Sequence, residues 1–172
     1  MTLHPACDIL NMLGAVRDRP ILHSEVIFMI RKAELTDLPT VTSLALRLWP
    51  GHTYEDLSRG LAEIIAGEES AIFLAFQEGK GVGFAQCQLR HDYVEGTDSS
   101  PVGYLEGIFV AESCRGQGMA SNLLAACEAW ARTQGCGEFA SDCELTNTQS
   151  LAFHLKLGFA EANRIICFTK KL

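Results

Sequence analysis

The chain has no CxxC pair and no Cys/His grouping at zinc spacing, although it carries seven cysteines. An odd number of thiols, scattered through strand-like and helix-like stretches, excludes a disulfide framework and a structural zinc module. They read as reduced, mostly buried thiols. Long apolar runs are also missing: no stretch approaches the roughly 18–20 apolar residues that a membrane helix needs, which predicts a soluble chain. Basic residues are in deficit, with 14 Lys+Arg against 21 Asp+Glu and a formal charge of −7. That balance argues against nucleic acid as a partner and favours a cationic small molecule. Met1 to Phe28 lacks the ordered basic, apolar and small-residue zones of a signal peptide, because Asp8, Asn11, Arg17 and Asp18 interrupt any apolar run. Export is not expected, and a cytoplasmic location is. No repeat or low-complexity segment occurs.

What is present describes one domain. A content of 48% hydrophobic and 20% charged residues in 172 supplies one apolar core. Met29 opens the segment MIRKAELTDL as a domain start would, so residues 1–28 read as an N-terminal extension and residues 29–172 as the folded unit. Val26 to Arg31 is a first strand, and a helix from Thr36/Asp37 to about Leu48 follows from Leu38, Val41, Leu44, Ala45 and Leu48 at helical spacing. Thr53, Glu55 and Asp56 open a second helix that Gly67 closes. Ala71 to Phe76 and Val82 to Leu89 are strands joined by Glu78-Gly79-Lys80-Gly81, a hairpin signal. A polar loop from His91 to Pro101 is longer than a turn requires, as functional loops often are. Val102 to Val110 is the next strand, where Gly107 signals a bulge or a close backbone approach. Met119 to Gln134 is a helix with Ala120, Leu123, Leu124, Cys127, Trp130 and Ala131 on one face. Glu138 to Ser141, Asn147 to Leu157 and Ile165 to Thr169 complete the order as strand, helix and strand.

Between the long strand and the long helix stands Arg115-Gly116-Gln117-Gly118-Met119-Ala120. Glycines there let the backbone coil, and the free amides of a helix start, at the positive end of its dipole, form a cradle for a diphosphate. Neither GxxxxGK[ST] nor GxGxxG is met, which excludes a Walker loop and a Rossmann fingerprint. Spacing alone leaves open a glycine-rich turn that merely feeds a helix.

The hexapeptide matches the [Q/R]-x-x-G-x-[G/A] acetyl-CoA signature of the GNAT acetyltransferase superfamily, and Asn147 to Phe159, NTQSLAFHLKLGF, resembles the superfamily's later helix and its closing Lys-Leu-Gly-Phe. Leu48-Trp49-Pro50-Gly51-His52, Arg90 to Val94, Asp98 to Pro101, Leu105 to Val110 and Ala140-Ser141-Asp142 resemble bacterial aminoglycoside 6′-N-acetyltransferases. The resemblance implies an α/β (α+β) GNAT fold: a central mixed, mostly antiparallel twisted sheet, splayed at the cofactor site and flanked by about four helices. It implies acetyl-CoA as cosubstrate with no metal, and a homodimer whose clefts the partner chain completes. The backbone of Ile108, Phe109 and Val110 would pair with the pantetheine arm, while Arg115, Gly116, Gln117, Gly118, Met119, Ala120 and Ser121 would enclose the diphosphate. Asn147 would contact the cofactor as well. His154 stands where many members place a tyrosine as acid toward the CoA thiolate, and Asn163 where the related enzymes offer a glutamate, with Glu161 two residues earlier.

An alkyl amine in water has a pKa of roughly 10 and must shed a proton before attacking a thioester, so a carboxylate is the natural acceptor. Glu106, just before Gly107, and Asp142, at the end of the neighbouring strand, fall on family substrate-site positions. The alternative for Glu106 is a surface charge at a strand bend. Trp49, His52 and Tyr93 would line the amine pocket, with Asp92, Glu95 and Asp98 adding negative potential. Against that stand Trp49 as a core anchor, His52 as a loop residue and Tyr93 as packing under its loop. Cys114 and Cys143 are read as structural. The competing functions are an acetyltransferase of a polyamine, amino acid or protein N-terminus, which would share the fold, and a non-catalytic acetyl-CoA-binding module.

Overall fold

The computed structural model describes residues 28–172, so the expected extension lies, but for Phe28, outside the described residues. Strand β1 (Phe28–Lys32) leads through a 3-10 turn (Leu35–Asp37) into α1 (Leu38–Leu48), followed by α2 (Tyr54–Ala66). Strands β2 (Ser70–Gln77), β3 (Lys80–Arg90) and β4 (Val102–Val110) form an antiparallel meander. A second 3-10 turn (Glu112–Cys114), α3 (Met119–Thr133), β5 (Phe139–Ser141) and α4 (Thr148–Lys156) complete the order. The five strands lie in sequence order, antiparallel except for β4 with β5. Among the described residues no helix is long and apolar enough to cross a membrane.

Period-two alternation in β2 sorts its residues between two cores. Ala71 and Ala75 face α3 together with Ala85 and Cys87, and these small side chains let Leu123, Leu124 and Cys127 of the helix approach the sheet. Ile72 and Leu74 face the other way, where they meet Phe84 and the apolar stripes of α1 and α2. Burying a side chain such as Phe84 contributes about 1.5–3 kcal/mol, so the two layers fix the sheet on which the site is built. The Thr53 side chain accepts from the Asp56 amide and caps α2, and Asn147 does the same for α4 through Ser150.

The pairing of β3 with β4 slips once. Gln86 is opposite Gly107 and Cys87 is opposite Leu105, so Glu106 is the extra residue of a β-bulge. The sequence placed the irregularity at Gly107, one residue later. Gly107 meets the second reason for a glycine in a strand: a Cβ there would lie 2.6 Å from Cζ2 of Trp49.

The expected last strand, Ile165 to Thr169, does not form: residues 159–172 carry no regular element, and Ile165, Ile166 and Phe168 are exposed. β-branched composition states only that a segment suits a half-buried pleated surface. Here β5 is three residues long, and the segment pairs with no strand among the described residues.

Candidate active site

Strand β5 pairs with β4 over three positions only, ending at Leu105 opposite Ser141. Beyond that point β4 continues for five residues with no neighbour on that side among the described residues, so the sheet opens into a fork. Glu106 and Asp142 are the first residues past the fork, one on each strand. Among the described residues no strand lies beside Glu106 to Val110; Arg115 Nε donates to the Val110 carbonyl at 3.0 Å, and the rest of the edge suits a ligand carrying its own amides.

This edge runs into the glycine-rich turn. Gly116 (φ 77°) and Gly118 (φ 79°) are both left-handed, a conformation that costs an ordinary residue about 1–2 kcal/mol. Gly118 is the N-cap of α3, and no side chain caps that helix. The first-turn amides are therefore free to bind an anion. A cleft of about 450 Å³ is lined by Ile108, Phe109, Val110, Arg115, Gly116, Gly118, Met119, Ala120, Ser121 and Asn147. Ten of the twelve expected cofactor residues thus share one groove, which α4 closes with Phe153 and Leu157. An exposed strand edge, an uncapped helix start and the cationic Arg115 and Lys156 suit the amides and phosphates of acetyl-CoA.

The other two differ. Gln117 is exposed and donates to the Ser113 carbonyl at 3.4 Å. His154 lies on the far side of α4, in a second cavity of about 420 Å³ that also takes in Asp142, Glu95 and Glu138. Its Nδ1 lies 2.8 Å from the Ser150 carbonyl oxygen and its Nε2 3.0 Å from Ser141 Oγ, so both ring nitrogens are engaged.

Glu106 is half-buried. Gln88 Nε2 (2.7 Å) and Arg90 Nη2 (2.8 Å) donate to its Oε1, and the Arg90 guanidinium lies flat over the Tyr104 ring, 3.3 Å from the centroid. Burial, and next the charge of Asp142, push the buried Tyr104 phenol up to about 12, so it stays protonated through the working pH range. Gln88 and Arg90 were given no role from the sequence. Their signal was a polar alternation at positions 86, 88 and 90 of a strand whose other face is buried.

Trp49 combines both readings made of it: its ring meets Phe84 edge-on at 5.8 Å and covers Gly107, beside Glu106. His52 is exposed on the α1–α2 loop, with its amide donating to the Trp49 carbonyl. Tyr93 is 80% exposed and donates to one oxygen of Glu95 at 2.9 Å, while Asn163 donates to the other at 3.0 Å. These bonds, Asn163's first, hold the Glu95 carboxyl below its ordinary range. They clasp the long loop to the C-terminal segment, and among the described residues they do not bring His52, Tyr93 or Asn163 into hydrogen bonds with Glu106 or Asp142. Glu138 pins the same loop by accepting from the amides of Asp98 and Ser99 at 2.9 and 2.7 Å. Among the described residues no group of His, Cys, Asp and Glu is arranged to hold a metal ion.

The family model described as "Acetyltransferase (GNAT) family" matches residues 37–159. An aminoglycoside N(6′)-acetyltransferase type 1 of Salmonella typhimurium is 43% identical over 142 residues, covering 83% of this chain and 98% of that protein. One from Serratia marcescens is 46% identical over 132 residues, covering 75% and 90%. The solved structure of AAC(6′)-Iy, in complex with the bisubstrate analogue CoA-S-monomethyl-acetylneamine, superposes with a TM-score of 0.82 at 42% identity, covering 85% of this chain and 99% of that one. With its mixed five-stranded sheet opened beside the glycine cradle, and with these relatives, the chain belongs to the acetyltransferase (GNAT) family.

Proposed function

We propose that the protein transfers the acetyl group of acetyl-CoA to the 6′-amine of an aminoglycoside and so confers resistance to it. The observation that carries this is the fork, where Glu106 and Asp142 follow the last β4–β5 pair and β4 runs on into a groove lined by Ile108 to Val110 and the glycine-rich turn. Bound acetyl-CoA supplies an activated acetyl thioester. The chain contributes position and charge. Amides along Ile108, Phe109 and Val110 take the pantetheine arm and polarise the thioester carbonyl. Those of Gly116 to Ser121 meet the diphosphate, with Asn147 at the groove's rim. A polycationic sugar is drawn by Glu95, Asp142 and the other carboxylates around the second cavity.

The substrate ammonium must lose a proton, and Glu106 or Asp142 accepts it directly or through water. The neutral nitrogen itself attacks the thioester carbonyl; the C–N bond forms, the C–S bond breaks and CoA leaves as a thiolate that takes its proton from water, so no enzyme nucleophile is needed. Cys114 suits that reading, since it is buried and its thiol donates to Gln77 Oε1 at 3.0 Å. Trp49 walls the amine site, and His52, Tyr93 and Asn163 belong to its outer rim. His154, engaged at both nitrogens, is assigned no proton transfer to the thiolate. We further infer a homodimer, a cytoplasmic location where acetyl-CoA is made, and a catalytic unit spanning residues 29–172.

Release of CoA thiol is measured against a panel of amines, and the acetylated product is located by mass spectrometry. Aminoglycosides are expected to turn over fastest, with modification at the 6′ position. A polyamine or an N-terminal peptide that turns over faster overturns the assignment. In the same assay Asp142→Asn is expected to lower turnover or aminoglycoside affinity while leaving acetyl-CoA binding intact.

A further inference from the structure

The carboxylate of Glu106 is held unequally. Three N–H donors converge on Oε1, from Gln88 Nε2 at 2.7 Å, Arg90 Nη2 at 2.8 Å and Arg90 Nε at 3.3 Å. Among the described residues nothing donates to Oε2. Arg90 is itself fixed, because its guanidinium stacks 3.3 Å from the ring centroid of Tyr104. Tyr104 is 5% exposed and cannot yield. The bulge places Glu106 on the face of β4 where Gln88 and Arg90 of β3 reach it.

We propose that Arg90 is a positioning residue for acetyl transfer: by occupying Oε1 together with Gln88, while lying flat on Tyr104, it leaves Oε2 of Glu106 as the oxygen that receives the substrate amine. The assignment deepens the function proposed above and rests on it. A flexible glutamate in a bulge has several rotamers, and each would offer the amine a different oxygen at a different place. Three donors on one oxygen select one of them before substrate arrives. Lysine cannot do the same, since it has neither the fork of donors nor the flat face that stacks on a ring. One layer of donors thus reaches from β3 to β4 and sets the Glu106 carboxylate.

The test is a double-mutant cycle between Arg90→Gln and Glu106→Gln, with steady-state kinetics on both substrates. If Arg90 acts through Glu106, Arg90→Gln lowers kcat/KM for the aminoglycoside on the order of tenfold to a hundredfold, the scale of misplacing a reacting group. The KM for acetyl-CoA stays put, and Arg90→Lys recovers part of the loss. In the Glu106→Gln background the same substitution costs little more. Equal losses in both backgrounds, or an acetyl-CoA KM that rises in step, overturn the proposal. Should Arg90→Gln fail to fold by circular dichroism, the cycle is run with Arg90→Lys. If another amine proves to be the substrate, the function reading falls while the cycle still decides the role of Arg90. No turnover with any amine overturns both.

Discussion

Arg31 and Asp37 form a two-pronged ion pair at 2.6 and 2.7 Å, and Asp37 also accepts from the Glu34 amide at 2.9 Å. The Asp37 side chain is 11% exposed and that of Arg31 39%, so the carboxylate is shielded while the guanidinium is partly screened by water. The guanidinium hydrogen bond, reinforced by the Glu34 amide, holds the Asp37 carboxyl below its ordinary range. Its folded value therefore lies below the unfolded value near 3.9, and the pair's stabilisation is complete above about pH 5. It drains away as the pH falls through the folded value. Asp37→Asn is expected to lose about 1–2 kcal/mol at pH 7, read as a lower Tm, with the gap from wild type closing in acid. A gap that stays constant down to pH 3 would remove the ion pair from the account. Which residues were legible in the sequence follows from how far their partners lie. Glu106 and Asp142 sit inside short motifs and were named from them. Gln88 and Arg90 act on Glu106 across 18 and 16 residues of chain, and only the bulge brings them together. Spacing along one strand cannot report a register slip against another.

At the scale of elements, the turn into α3 is where local sequence says most. Two left-handed glycines and an uncapped helix start are written into RGQGMA itself, and the residues named around it line one groove. The contrast is the segment from Ile165 to Thr169, whose strand-like composition meets no paired strand among the described residues. Propensity is local and pairing is not. Two substitutions probe the elements that carry the site. At Gly116 a Cβ meets nothing within 4 Å, so the φ of 77° alone opposes Gly116→Ala. The strain is about 1–2 kcal/mol, and relieving it re-aims the amides. Acetyl-CoA affinity, measured by calorimetry, is expected to drop about tenfold with aminoglycoside affinity preserved; equal losses for both ligands would point to global damage instead. Gly107→Ala acts on the other side of the strand. Its methyl would collide with Trp49 Cζ2 at 2.6 Å and with Leu48 Cδ2 at 3.0 Å, so the end of α1 must move. The expected signatures are a loss of about 1–3 kcal/mol of stability and a shifted Trp fluorescence spectrum. An unshifted spectrum at wild-type Tm would mean that the ring yields freely and does not wall the site.

For the whole molecule, the unresolved demand is apolar surface. Ile165, Ile166 and Phe168 are 69%, 81% and 89% exposed, on a segment that leaves the second cavity through Ala160, Glu161 and Ala162. Three large apolar side chains within four residues are a cost in water that a second copy of the chain can remove. Among the described residues β5 is an edge strand, with β4 on one side and no strand on the other. The homodimer inferred for the family's sake therefore has a physical motive in this chain. Because the segment also carries Asn163, whose side chain donates to Glu95 beside the long loop, association there would bear on the amine side of the site and not on the cofactor groove. Sedimentation at micromolar concentration is expected to show a species of twice 18.8 kDa. Phe168→Ser removes one side chain worth about 1.5–3 kcal/mol when buried, which corresponds to roughly tenfold to a hundredfold weaker association. Aminoglycoside turnover per chain should fall with dilution in that variant earlier than in wild type, while acetyl-CoA binding follows chain concentration alone. A wild-type chain that sediments at 18.8 kDa with full turnover would leave these residues exposed for some other reason, and the partner chain would have no part in the reaction.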